Sequence, residues 1–185
     1  MAAMSKRPQK TSSETGSRLM LLRHAKSAWP EGVPDRDRPL ATRGRKAASL
    51  IGEYMAREGL VPDLVLVSPS RRTQETWMLV RDKLPGHVEA RDHAGLYEVS
   101  AVKILDALAH VENACRTLLI IGHNPGLQEL ALLLTDAGDD GARRKMTGKF
   151  PTAGLAVIDF GAADWQEIGE GSGSLERFVT PRSLE

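Results

Sequence analysis

Three short, continuously apolar runs constrain the fold of this chain more than any other feature. They form the centres of segments 19–22, 63–68 and 117–122, and none shows the polar–apolar alternation of a half-exposed strand. A strand that is apolar on both faces belongs in a sheet that is covered on both sides, as parallel sheets are. The runs therefore predict central strands of an α/β domain.

The segments between these runs have the spacing and the end signals of helices. Thr42 is a candidate cap for a helix to about residue 57, whose apolar residues recur at helical spacing. Ser70 is expected to cap a helix to about residue 84, and Ser100 to start one that reaches about 111. Pro125 is expected to begin a helix to about 134, since proline suits the first helical position.

Shorter strands are expected outside the three main runs. One lies at 87–91, and segments 154–160, 164–168 and 175–179, separated by Gly-rich turns, predict a meander at one edge of the sheet. Strands that alternate with helices favour parallel pairing with helices on both faces. We therefore predict a three-layer α/β/α fold with a central, mainly parallel sheet and an antiparallel edge.

Length and composition narrow the setting of this domain. The 185 residues suit one domain, at 18–185, preceded by a polar segment, 1–17, that is predicted to be a disordered tail. That segment has no apolar core of a secretory signal, so the cytoplasm is the expected location. A net charge of +1 argues against nucleic acid or a membrane as partner, and the single cysteine, Cys115, excludes an internal disulfide.

Polar residues follow all three main runs at the point where each strand ends. Arg23 and His24 follow the first run, the residues at 68–72 lie at the end of the second, and His123 follows the third. Because ligand sites in such sheets lie beyond the carboxyl ends of the strands, these residues are expected to share one crevice.

Two arginines and two histidines without a local run of acids describe a pocket for an anion such as phosphate. Arg23 and Arg72 can each pair with two phosphate oxygens, and two helix N-termini are expected to open onto the same pocket. Carboxylates for a metal do not cluster at these strand ends, and Cys115 lies elsewhere, so a neutral imidazole is the remaining nucleophile. Neighbouring cations disfavour protonation of that imidazole.

Several motifs resemble the histidine phosphatase (phosphoglycerate mutase-like) superfamily, and in particular its SixA-type phosphohistidine phosphatase branch. The resemblance covers roughly residues 19 to 181. The matching segments are LRHAKS at 22–27, RPLATRG at 38–44, SPSRRTQET at 68–76, GHNP at 122–125, FPT at 150–152 and FVTP at 178–181.

The resemblance implies a role for each matching position. His24 would be phosphorylated, Arg23 and Arg72 would clamp the phosphoryl group, and His123 would donate to an oxygen in the transition state. Glu98 stands where many members carry a proton-donating acid, although SixA-like members often lack one. No metal or organic cofactor is expected. The remaining candidate substrate contacts, of which the first two could instead only shape their loop, are Lys26, Ser27, Asn124 and Thr152.

Three functions remain open on these grounds. The first is a metal-independent phosphatase acting on phosphohistidine-bearing protein, for example a signalling protein. The second is a small-molecule phosphomonoesterase of the same superfamily, which an essential Glu98 would favour. The third is a catalytically silent module that binds phosphorylated ligands, which would need the arginines but not His24.

Overall fold

A computed structural model of the chain describes residues 16–162 and 164–185. The tail predicted for 1–17 therefore falls, up to residue 15, outside the described residues. Its last residue does not belong to a tail, because Ser17 is buried and begins the first strand of the sheet. The strand is longer than its apolar run because its ends pair with neighbouring strands through the backbone.

The described residues form seven strands and five α-helices, which alternate along the chain up to the sixth strand. Three short 3₁₀ helices lie in the connections, and a fourth, Pro181–Ser183, follows the last strand. The strands are β1 (Ser17–Arg23), β2 (Leu64–Val67), β3 (Glu89–Asp92), β4 (Thr117–Gly122), β5 (Thr135–Gly138), β6 (Leu155–Phe160) and β7 (Gly173–Val179). The helices are α1 (Thr42–Arg57), α2 (Arg71–Arg81), α3 (Ala101–Leu108), α4 (Gly126–Leu134) and α5 (Asp140–Gly148).

All seven strands belong to one sheet, in the order β3-β2-β4-β1-β6-β7-β5. β1, β2, β3 and β4 pair in parallel, β7 pairs in parallel with β5, and β6 is antiparallel to both of its neighbours. The predicted α/β class with a mainly parallel sheet is confirmed. The antiparallel pairing comes from β6, which lies inside the sheet between β1 and β7.

Helices cover both faces of the sheet, so the central strands are buried on both sides. In β1, Leu19 and Leu21 pack on the face covered by α3, α4 and α5, whereas Met20 and Leu22 pack on the face covered by α1 and α2. All four of these side chains are 0% exposed. The continuous apolar run thus follows directly from burial on two faces.

Helix ends depart from the predicted positions by a few residues. Ala41, not Thr42, is the cap residue of α1, and Pro125 is the cap residue of α4 rather than its first helical residue. Ser70 caps α2 as predicted, and its side chain accepts from the Thr73 backbone N–H. The helix predicted to reach 84 ends at 81 because tighter turn hydrogen bonds close its last residues. α3 likewise ends at 108, not 111.

The prediction of a strand at 164–168 is wrong. Asp164 accepts a hydrogen bond from the Gln166 backbone N–H and caps a 3₁₀ helix at Trp165–Glu167. This turn buries Trp165, whose indole N–H donates to the Cys115 carbonyl oxygen at 2.8 Å. β5 and α5 were not predicted, because β5 is mostly exposed and α5 buries only Met146 among its nine residues.

No helix within 16–162 and 164–185 is long and apolar enough to cross a membrane.

Candidate active site

The carboxyl ends of three adjacent strands bring the predicted histidines together. β2, β4 and β1 are neighbours in the sheet, so Ser68, His123 and His24, which follow them, meet at one edge. The ring centroids of His24 and His123 lie 5.2 Å apart, with the rings inclined at 55°. Both side chains are largely shielded, at 9% and 5% exposure. The two imidazoles therefore face one small volume.

The backbone around His24 fixes which ring nitrogen is free. Nδ1 of His24 lies 2.8 Å from the Ala25 carbonyl oxygen. Because a carbonyl oxygen only accepts, Nδ1 carries the proton and Nε2 carries the lone pair. The Ala25 N–H in turn donates to Thr76 Oγ1 at 3.0 Å, which ties this segment to α2. His24 thus presents an oriented, unprotonated nitrogen.

Burial and nearby cations keep His24 neutral. Burial is the main reason that the pKa of His24 is lowered to about 4, and the charges of Arg72 and Arg23 lower it further. The hydrogen bond to Ala25 acts in the opposite direction. At neutral pH the ring is therefore an unprotonated imidazole, the form that can attack an electrophile.

His123 is held between a hydroxyl and a guanidinium. Its Nε2 lies 2.8 Å from Ser68 Oγ, and its Nδ1 lies 3.4 Å from a terminal nitrogen of Arg72. Burial, the neighbouring His24 and the charge of Arg72 lower the pKa of His123 to about 3, against the opposing charge of Asp35. Because a guanidinium only donates, Nδ1 of His123 accepts from Arg72, and Nε2 carries the proton, which it donates to Ser68 Oγ.

Arg72 is the cation at the centre of the site. Its side chain is 3% exposed, and its terminal nitrogens donate to the Asp35 carbonyl oxygen at 2.7 Å, to Asp35 Oδ2 at 3.1 Å and to Glu98 Oε1 at 3.1 Å. The adjacent Arg71 points away, is half exposed and pairs with Glu75 at 2.8 Å. The structure therefore places the second of the two consecutive arginines in the site.

Asp35 is a further residue of the site, which no sequence pattern indicated. Its Oδ2 also accepts from the Tyr97 hydroxyl at 2.5 Å, and its Oδ1 accepts from Arg38 at 2.9 Å. The Tyr97 hydrogen bond, followed by those from Arg38 and Arg72, holds the pKa of the Asp35 carboxyl well below its usual range, although partial burial opposes this. The proline-broken stretch around 29–39 gives no periodic signal, so only its position just after LRHAKS could have drawn attention to it.

Glu98 lies at the rim of the site in an unfavourable backbone conformation. Its φ is +48°, in the left-handed region that non-glycine residues rarely occupy, and its side chain is 53% exposed. Neighbouring Tyr97 places its ring edge-on to His123, with centroids 5.4 Å apart. Such outliers persist where surrounding contacts hold them, and here the contact is with Arg72.

Arg23 occupies the opposite flank, beside the segment that follows α5. Its terminal nitrogen donates to the Phe150 carbonyl oxygen at 2.9 Å, and its Nε is buried without a partner among the described residues. Asn124 donates to the same carbonyl at 3.2 Å, and its Oδ1 is likewise unpartnered within that part of the chain. Ala153, at φ +58°, donates its N–H to the carbonyl oxygens of Arg23 and His24.

The other predicted substrate contacts are divided between two places. Ser27 is buried beneath the 29–39 loop, where its hydroxyl accepts from Arg38 and its backbone bridges to Leu40. Lys26 and Thr152 line a groove that adjoins Arg23. Ser27 is therefore engaged in shaping the loop, whereas Lys26 and Thr152 lie where a larger ligand could reach them.

Gly44 allows the segment that follows His24 to pack closely against α1. An added Cβ at Gly44, in the first turn of α1, would lie 2.0 Å from the Lys26 carbonyl oxygen. That same oxygen accepts from the Ala41 N–H at 2.8 Å. Only glycine permits this close approach, which fixes the segment that follows His24.

Together these residues form a pocket suited to a tetrahedral anion beside a neutral imidazole. Arg23 and Arg72 supply charge-assisted donors, and His24 supplies a neutral imidazole nitrogen. Within residues 16–162 and 164–185, no three His, Cys, Asp or Glu side chains cluster in a way that could hold a metal ion.

Sequence comparison finds matching proteins and a matching family. The family model described as "Histidine phosphatase superfamily (branch 1)" matches residues 19–114, just over half of the chain. An uncharacterised protein of Mycobacterium tuberculosis is 34% identical over 163 residues, which cover 87% of this chain and 100% of that protein.

Solved structures with the same fold include two assigned as the phosphohistidine phosphatase SixA. That from Nakamurella multipartitia has a TM-score of 0.79 and 25% identity, over 92% of this chain and 99% of its own. That from Agrobacterium tumefaciens has a TM-score of 0.74 and 26% identity, over 89% of this chain and 99% of its own.

Proposed function

The chain belongs to the histidine phosphatase superfamily and is a phosphatase, and we propose that it hydrolyses phosphohistidine on proteins through a phosphorylated His24, without a metal ion. The observation that carries the proposal is the pair of neutral imidazoles, 5.2 Å apart, beside the buried Arg72. Only one of them, His24, has its Nδ1 fixed by a carbonyl so that Nε2 is free to attack.

In the first step, Nε2 of His24 attacks phosphorus, and the bond from phosphorus to the leaving nitrogen of the substrate breaks. The phosphoryl group passes to His24, and the leaving imidazole, which solvent has already protonated on its other ring nitrogen, keeps the electron pair and departs as a neutral ring. Arg23 and Arg72 stabilise the charge on the transferring oxygens. Once the phosphoryl group takes over the Arg72 N–H that His123 Nδ1 accepts, the Ser68 hydroxyl can donate to Nε2 and the ring proton can reside on Nδ1. From there His123 donates a further hydrogen bond to a phosphoryl oxygen.

In the second step, water attacks the phosphorus atom on phospho-His24. The phosphorus–Nε2 bond breaks, the electron pair returns to the ring, and a proton of the attacking water goes to solvent or to the released phosphate. His24 is thereby restored to the neutral tautomer that its hydrogen bond to Ala25 holds.

The state of the carboxylates favours phosphohistidine over an alcohol phosphate. Asp35 and Glu98 both accept from Arg72 at 3.1 Å, and ion-paired carboxylates act as acceptors rather than proton donors. An alkoxide needs proton donation in order to leave, whereas an imidazole leaves readily without it. The solved SixA structures, assigned as phosphohistidine phosphatases, lend the same support.

A small-molecule phosphomonoesterase is the second candidate, and Glu98 is the observation that favours it. Its half-exposed side chain reaches the site beside Arg72 and would need only to leave that ion pair to act as an acid. Family membership disfavours the silent binding module, which has no use for an oriented nucleophile such as His24.

Turnover in the presence of a chelator tests these alternatives. An aryl phosphate, a phosphoserine peptide and a phosphohistidine peptide are compared for wild type, His24→Ala and Glu98→Gln. We expect wild type to prefer phosphohistidine, His24→Ala to be inactive on all three substrates, and Glu98→Gln to retain phosphohistidine turnover. Activity retained in His24→Ala, or abolished by the chelator, would refute the mechanism. A preference for phosphoserine that depends on Glu98 would favour the second candidate.

A further inference from the structure

A groove of about 580 Å³ adjoins the active site and shares Arg23 with it. Four separate segments form its wall: the residues after β1, the first turn of α1, the chain after α5, and the 3₁₀ helix Pro181–Ser183. The charged residues that line this basic groove are Arg23, Lys26, Arg43, Lys149 and Arg182, against one acid, Glu185.

The cations of the basic groove are unpaired, unlike many others on the surface. Lys26, Arg43, Lys149 and Arg182 make no ion pair or side-chain hydrogen bond with any residue that the structure describes. Several cations elsewhere face carboxylates within 3.1 Å, as in the pairs Arg18–Asp159, Arg71–Glu75, Lys83–Glu53 and Arg177–Glu58. Like charges gathered without counter-charges cost free energy, which an anionic ligand would relieve.

We propose that the basic groove binds an acidic polypeptide segment that flanks the phosphorylated residue of the substrate. This inference rests on the proposed phosphatase function. The shared Arg23 joins the groove to the phosphoryl pocket, so a chain entering the pocket can continue along the groove.

The number of cations, and their origin in separate segments of the chain, favour a polypeptide over a small ligand. The cations come from four segments of the chain. The groove between them is also lined by three apolar residues, Ala47, Pro151 and Pro181. A small ester with one additional anionic group would pair with one or two of these cations and leave the others unpaired. Carboxylates repeated along an extended chain can face all of them at once.

The experiment compares two phosphohistidine peptides of equal length, one flanked by Glu and Asp and the other by Gln and Asn. We expect kcat/KM for the acidic peptide to be about tenfold higher at low salt, and the difference to shrink at high salt because screening weakens these contacts. An aryl phosphate, which is too small to reach the groove, serves as the measure of basal activity.

A matched pair of double variants locates the effect. Lys149→Gln with Arg182→Gln removes two charges from the basic groove. Lys103→Gln with Arg116→Gln removes one lysine and one arginine from exposed positions on α3 and just before β4. We expect the groove variant to lower kcat/KM for the acidic peptide about tenfold. It should leave the neutral peptide and the aryl phosphate within about twofold, and the control should leave all three within that range.

Failure of the groove and failure of the substrate assignment give different results. Equal turnover of both peptides, or equal losses in the two double variants, would overturn the groove proposal while leaving the phosphatase function intact. If neither peptide is cleaved, the unphosphorylated acidic peptide is tested as an inhibitor of aryl phosphate hydrolysis. Inhibition weakened only in the groove variant supports the proposal, and unchanged or absent inhibition overturns it. A groove-dependent preference for a sugar bisphosphate, but not for the acidic peptide, would also overturn it.

Discussion

Acidification is expected to destabilise this protein partly through His24. The ordinary pKa of the imidazole is 6.5, and in the folded chain it is lowered to about 4, mainly by burial. At pH values between about 4 and 6.5, His24 binds a proton in the unfolded chain but stays unprotonated in the folded chain. The free energy of unfolding therefore falls as the pH drops below 6.5, and this loss is complete near the folded pKa.

The size of the effect follows from the difference between the two pKa values. At pH 5 the unfolded ring is almost wholly protonated and the folded ring only about one-tenth so. This corresponds to a loss of about 2 kcal/mol relative to pH 7. His24→Asn removes the titration but keeps a side-chain N–H near the Ala25 carbonyl. The variant should lose about 2 kcal/mol less than wild type between pH 7 and pH 5.

Urea unfolding of both proteins at pH 7 and pH 5 measures this difference. The surface carboxylates are present in both proteins and largely cancel. His123 changes in the same direction as His24, because its pKa is lowered less in the variant and its own loss of stability on acidification becomes smaller. Equal losses in the two proteins would refute the reasoning. A histidine titration followed by NMR in wild type is an independent check, because a His24 midpoint near 6.5 instead of about 4 would contradict the role assigned to burial.

Three further predictions concern the contacts around the pocket. Arg72→Lys should lower kcat/KM at least about 100-fold, because lysine cannot make the forked contacts of the guanidinium. Arg71→Lys, the control, should leave kcat/KM within about twofold. Similar losses in both variants would contradict the placement of Arg72 in the site and Arg71 outside it. Thr76→Val should lower the free energy of unfolding by about 1–3 kcal/mol, because the buried Ala25 N–H loses its acceptor. A loss under about 0.5 kcal/mol in urea unfolding would argue against a structural role for this hydrogen bond. Asp35→Asn should strengthen inhibition by inorganic phosphate several-fold in a steady-state assay, because one negative charge beside Arg72 is removed. Weaker inhibition would show instead that Asp35 mainly positions Arg72.

Long-range contacts in loops explain what the sequence analysis missed. The Asp35 contact with Tyr97 joins residues 62 positions apart, and neither residue belongs to a periodic segment. β5 was missed for a related reason, since it is mostly exposed and held by backbone pairing with β7. The segment 164–168 was misassigned because its two buried side chains, Trp165 and Ile168, lie three residues apart, a spacing that suits a 3₁₀ turn better than a strand.

The sequence by itself determined the central strands, the helices between them and the edge at which Arg23, His24, Arg72 and His123 meet. It could do so because burial on both faces leaves an uninterrupted apolar run, and because the carboxyl ends of parallel strands share one edge. Only the tertiary structure decided which nitrogen of His24 is free, which carboxylates hold Arg72 and where the unpaired cations gather. Those features depend on distances between segments that are remote in the chain, and no local pattern of residues encodes such distances.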